Sequence, residues 1–138
     1  MPTASYNKYT AAIEPLFEGI NAGTDTWKVA LAATVNAADT TFTPGTTDLA
    51  TANGYTAGGN AVTVTSAAQT AGTFKLVLTS PAAWTATGAG FTFRYAILWD
   101  STTNTPVAYW DYGSSQAVAA TETVTVTLDA TNGVFQAT

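Results

Sequence analysis

The sequence predicts an all-β protein: an antiparallel β-sandwich, jelly-roll-like, with a short N-terminal helix or arm. Three observations lead there. Apolar residues recur with period two through most of the chain, Gly- and Asn-rich turns separate the runs, and no series of helical segments is present to cover a parallel sheet. A length of 138 residues suits one hydrophobic core. The expected division is residues 1–24 as the arm or short helix and residues 25–138 as the sandwich domain.

The N-terminal segment is the one stretch with helical spacing: Tyr9, Ile13, Leu16, Phe17 and Ile20 recur at intervals of three and four, and Gly19 and Gly23 could end it. Pro15 is expected to break or delay this helix, because it lacks an amide donor and clashes with the preceding turn. From Thr24 the period changes to two. Over Thr26–Thr34, Trp27, Val29 and Leu31 alternate with Thr26, Lys28 and Ala30, which predicts one buried face and one outward face. Ala61–Ser66, Thr73–Thr79, Phe91–Trp99 and Thr121–Asp129 alternate in the same way, and further strands are expected at Pro106–Tyr112 and Gly133–Gln136. Asn53-Gly54, Gly58-Gly59-Asn60, Gly88-Ala89-Gly90, Thr103-Asn104 and Asn132-Gly133 supply the positive φ values that tight turns need. Residues Asn36–Ala52 read as an extended loop.

Composition excludes several kinds of chemistry. The chain has no histidine and no cysteine, and only 9% of its residues are charged. Zinc and transition-metal sites lose their imidazole and thiolate ligands, and a serine nucleophile has no histidine to activate it. Neither an enzyme nor a cofactor is expected. Lys8, Lys28, Lys75 and Arg94 are more than ten positions apart and stand against nine acidic residues, for a net charge of −5. Phosphate neutralisation needs clustered bases, so no nucleic acid and no anionic membrane surface is expected as a partner. The apolar stretches are far shorter than the roughly 18 residues of a membrane span, and the N-terminus lacks the basic and apolar regions of a secretory signal.

Four features bear on possible chemistry. Asp100 and Asp111 follow Trp99 and Trp110 and could be imagined as a glycosidase pair, but strand-end and turn roles are the preferred reading. Asp100–Asn104 has oxygen ligands at alternate positions yet lacks the central Gly and the bidentate Glu of a calcium loop. Asn53–Asn60 is Gly-rich without a Walker lysine, so a closely packed loop is expected there. The aromatic residues Trp84, Trp99, Tyr109, Trp110 and Tyr112 suit either a core or a sugar-stacking face, and the core is preferred because 107–112 places aromatics on both faces of one strand.

The order of Asp25–Leu31 (DTWKVAL), Asn53–Gly59 (NGYTAGG), Thr73–Leu78 (TFKLVL), Phe93–Leu98 (FRYAIL), Trp110–Ser115 (WDYGSS) and Leu128–Val134 (LDATNGV) resembles small structural proteins encoded beside the major capsid gene of tailed bacteriophages. Among these it is most similar to head decoration, or cement, proteins. The resemblance covers residues 25–135 and brings no catalytic motif. It implies a jelly-roll-like sandwich made in the host cytoplasm and placed on the outer capsid surface of the virion, where it stabilises contacts between major capsid protein subunits. The major capsid protein and the chain itself, as a homodimer or higher oligomer, are the implied partners.

A surface of short uncharged side chains suits such contacts, because little rotamer entropy is lost when it is immobilised. Tyr9, Ile13, Leu16, Phe17 and Ile20, with the loop Asn36–Ala52, are the candidate capsid contacts. The alternative is a tail-associated or receptor- or carbohydrate-binding virion protein, with Trp84 and Trp110 as the sugar-contact candidates.

Overall fold

Period-two runs become strands wherever a neighbouring run can complete their backbone hydrogen bonds. The computed structural model describes residues 3–138, and among these the elements follow in the order β1 (Ser5–Lys8), α1 (Ile13–Glu18), β2 (Trp27–Ala32), β3 (Asn60–Val62), β4 (Val64–Thr70), β5 (Thr73–Leu78), β6 (Trp84–Thr85), β7 (Phe91–Asp100), β8 (Thr105–Val118), β9 (Thr123–Val124) and β10 (Phe135–Ala137). The protein is all-β, and every strand pairing is antiparallel. Five strands form one sheet in the order β1-β8-β7-β2-β3, three form a second in the order β10-β5-β4, and β6 and β9 form a two-stranded ribbon.

The β7–β8 hairpin is the spine of the large sheet. Asn104 takes a positive φ of 57° in its turn, a conformation that asparagine tolerates better than most residues. Asp100 closes the same turn, its carboxylate accepting from Thr102 N at 2.8 Å and from Thr103 Oγ1 at 2.8 Å. β8 lies between β7 and β1, with Ser5 opposite Asp111 and Lys8 opposite Ala108. The N-terminal residues are therefore built into the sheet.

On the other side of β7, β2 departs from the expected one-sided burial, since Ala30 is as completely buried as Val29 and Leu31. Lys28 and Ala30 share their face with Trp99 and Ile97, and that face is covered by residues 36–59. Phe42 stacks on Trp99 with ring centroids 4.0 Å apart and planes 13° from parallel, and Trp99 Nε1 donates to the Gly58 carbonyl at 3.1 Å. The segment Asn36–Ala52, expected to face outward, thus sends Phe42 and Asp48 into the interior.

The same segment finishes the edge of β2. β3 pairs only with Trp27–Val29, which leaves Leu31, paired with Ala96 of β7 on its other side, without a strand neighbour on this edge. Leu31 N–H donates instead to the Tyr55 hydroxyl at 3.0 Å, and its carbonyl accepts from Leu49 N at 2.9 Å. Tyr55 in turn donates to Asp48 Oδ2 at 2.5 Å, and Asp48 also accepts from Gly45 N and Gly58 N, each at 2.6 Å. Gly59 closes against β2 so tightly that a Cβ would lie 1.9 Å from the Val29 carbonyl oxygen, at a φ of +73°. Only glycine fits there.

β3 passes through Thr63 directly into β4, carrying the chain from the large sheet to the three-stranded one. Ala71 and Gly72, at φ 51° and 83°, make the two-residue turn between β4 and β5 that matches the strand twist. Phe135 on β10 meets Trp27 on β2 at 6.4 Å between ring centroids, and the sheets share one core. The alternation over Thr121–Asp129 sets burial, with Val124, Val126 and Leu128 inside, yet only Thr123–Val124 is a strand. Beyond it a side chain replaces the ladder, Ser80 Oγ accepting from Leu128 N at 3.0 Å.

Replacing Asp48 by Ala leaves the amides of Gly45 and Gly58 and the Tyr55 hydroxyl without their acceptor. Asp48→Ala should cost about 3 kcal/mol and Tyr55→Phe about 1–2 kcal/mol in urea unfolding. Losses below about 0.5 kcal/mol for both would show that the Asp48 cluster does not hold the segment.

Candidate binding surface

Helix α1 forms where the three- and four-residue spacing predicts it, and Pro15 does not prevent it. Pro15 is the third helical residue, in the first turn, where no amide donor is required. Its carbonyl accepts from Gly19 N and Ile20 N, both at 2.8 Å. No residue of α1 is buried, so its apolar stripe is only partly covered.

Ile13 is 43% exposed and Phe17 78%, while Leu16 and Ile20 are half-buried and pack against the core. Between this stripe and the rims of β5 and β10 runs a groove of about 550 Å³, floored by Phe74 and Phe135. Lys8 stands at its edge, and Glu14 and Glu18 line the opposite flank of the helix. Tyr6, at 42%, is the third large apolar side chain left exposed among the described residues. All three belong to the N-terminal segment.

Tyr9 shares the stripe's spacing but not its position. It is 0% exposed, its ring set edge-on to Tyr109 at 5.4 Å, and it is a core residue rather than a contact residue. The reason is local: Tyr9 directly follows β1, where its N–H donates to the Val107 carbonyl at 3.0 Å, so the sheet turns its side chain inward. Ile13, Leu16, Phe17 and Ile20 are brought together as one surface.

The two tryptophans of the sugar-binding alternative are not brought together in that way. Trp84 is 3% exposed and packs near Tyr55 at 6.4 Å, so its face is not open to a ligand. Trp110 is half-buried and carries Tyr6 edge-on at 5.6 Å. Asp100 and Asp111 lie at different places along β7: Asp100 is its last residue, whereas Asp111 pairs with Tyr95 five positions earlier. That separation is roughly 17 Å along the strand, too far for a glycosidase pair.

Asp111 is instead bound by Arg94 through two parallel contacts of 2.8 and 3.1 Å. The guanidinium, helped by Gly113 N–H, holds its carboxyl below the usual range. Asp100 is shifted the other way. Burial pushes its carboxyl up, against the Thr103 and Thr102 donors, and Asp25 nearby adds to the shift. Among the described residues no three acidic side chains converge as a metal site, and no helix is long and apolar enough to cross a membrane.

No family model, curated protein or solved structure matches the chain. The site therefore stands on its own geometry. Sequence periodicity found four of its residues; it missed Phe74 and Phe135, whose place in the groove comes from strand pairing far along the chain.

A carboxyl whose folded value is raised destabilises the fold when it ionises, so its contribution falls as pH rises from the unfolded value near 4 through the folded one. The stability of Asp100→Asn relative to wild type should therefore rise between about pH 4 and pH 7. Urea unfolding at both values checks this, and an unchanged difference would show that Asp100 titrates as it does in the unfolded chain.

Proposed function

We propose that this chain is a virion structural protein, a decoration or cement protein that binds the outer surface of a tailed-phage head and stabilises contacts between major capsid protein subunits. The observation that carries this reading is the exposed apolar surface of α1, where Ile13 and Phe17 stand clear of the core. Solvent-facing Phe is costly to leave in water, and burying it against a partner contributes about 1.5–3 kcal/mol. Beyond Lys8, Glu14 and Glu18, which flank it, the chain carries few long charged side chains, so little side-chain entropy opposes docking. In this reading the five-stranded and three-stranded sheets are the two layers of a jelly-roll-like sandwich, and the resemblance of residues 25–135 to head decoration proteins supports the same role.

The carbohydrate-binding reading is less well supported, since Trp84 is enclosed. Removing the first 20 residues would be a poor test, because it would delete β1 and the buried Tyr9 along with the helix. Point substitution is cleaner. With expanded heads assembled from the major capsid protein of the same genome, the wild-type chain should co-sediment, and Ile13→Ser/Phe17→Ser should bind at least about tenfold more weakly. Its thermal unfolding should stay within a few degrees of wild type. A wild-type chain that stays in the supernatant would sink the proposal.

A further inference from the structure

The three-stranded sheet ends in an edge that nothing protects. Natural sheet edges are blunted by shortness, by lysine, by proline or by bulges. β3 and β10 span three residues each, and β1 carries Lys8. β4 is different: it is seven residues long, reads VTSAAQT, and contains neither charge nor proline. Its one irregularity falls between Val64 and Ser66, which leaves Ser66–Thr70 as a regular run with β5 on one side only. Among the described residues no loop, cap or other strand hydrogen-bonds to the outward N–H and C=O groups of 66–70.

We infer that a second copy of this chain pairs its own β4 antiparallel with this edge, joining two three-stranded sheets into one of six in the order β10-β5-β4-β4-β5-β10. The outward backbone groups specify an extended strand as the occupant. The side chains favour the chain itself. With the two-fold axis at Ala68, the middle of the regular run, Ser66 faces Thr70 of the other copy and Ala67 faces Gln69, so no like charges meet. Neither β4 nor β5 contains an acidic residue, which keeps the net charge of −5 away from the joint. The one charge on these two strands is Lys75, the partner of Ala68 on β5. Across the joint the two lysines would be three strand spacings apart, roughly 14 Å, which exceeds the ~10 Å screening length at 0.1 M salt.

This inference goes beyond capsid binding and does not depend on it: the joint uses β4, whereas the proposed capsid contact uses α1. The chain has no cysteine, so a single introduced thiol reports one position. Ala68→Cys should form a disulfide-linked dimer under mild oxidation at least about tenfold faster than Ser115→Cys, an exposed position on β8. In sedimentation equilibrium at about 100 µM the wild-type chain should be dimeric, and Ala68→Lys, which opposes two like charges at the axis, should raise the dissociation constant at least about tenfold. Ile13→Ser/Phe17→Ser should dimerise like wild type, which separates this joint from the capsid surface. The inference is overturned by a monomeric wild type, or by a dimer that Ala68→Lys leaves untouched and in which Ala68→Cys cross-links no faster than Ser115→Cys. If Ala68→Lys fails to fold, the cross-linking rates of the two cysteine variants alone decide.

Discussion

One buried carboxylate ties the long segment between β2 and β3 to the large sheet. Asp48 gathers Gly45, Gly58 and Tyr55 into a single cluster, and through the Tyr55 hydroxyl it reaches the backbone of Leu31. Without it, the long segment between β2 and β3 would keep its apolar contacts and a few separate hydrogen bonds, such as Trp99 Nε1 to the Gly58 carbonyl and Leu49 N to the Leu31 carbonyl. A charge buried this deeply is tolerated only when its oxygens are fully engaged, and here three donors engage them. Burial and the bond to Asp48 push the Tyr55 phenol far above its ordinary range, so Tyr55 remains a donor. The segment behaves as an extra layer of structure made without helix or strand.

That layer explains how a chain with so few charges can bury both faces of its central strands. Ala30 and Ala32 are small enough for residues 36–59 to approach the sheet closely, and Gly59 permits the nearest contact. Phe42 then fills the remaining space by lying flat on Trp99. On the opposite face, Trp27 and Phe135 link the large sheet to the smaller one. The aromatic residues thus act as spacers between layers, and the exterior is left to Thr, Ser, Ala and Gly. The apolar stripe on α1 is the exception because no described residue folds back over Phe17.

Much of this was legible in the sequence, and the failures have physical causes. Trp27, Val29 and Leu31 announced β2, and the aromatics on both sides of 107–112 announced a strand covered on both faces. Alternation reports which way a side chain points. It does not report whether a partner strand exists, which is why Val126 and Leu128 are buried outside any ladder. Helical spacing likewise grouped Tyr9 with Phe17, although β1 ends at Lys8 and turns Tyr9 into the core. Asp48 carried no signal at all: a lone acid among Thr, Pro and Gly looks like ordinary loop, and its importance depends on donors three, seven and ten positions away.

The pairing of β1 with β8 also has a consequence in time. Ser5 meets Asp111, so on a ribosome adding about 5–20 residues per second the first strand is exposed for on the order of 5–20 s before its neighbour has been made. Throughout that interval Tyr9, Leu16 and Phe17 hang from an unpaired strand with no wall to lie against. This segment is made long before the strand that secures it. Its docking against β8 is a long-range closure, the kind of contact that slows folding.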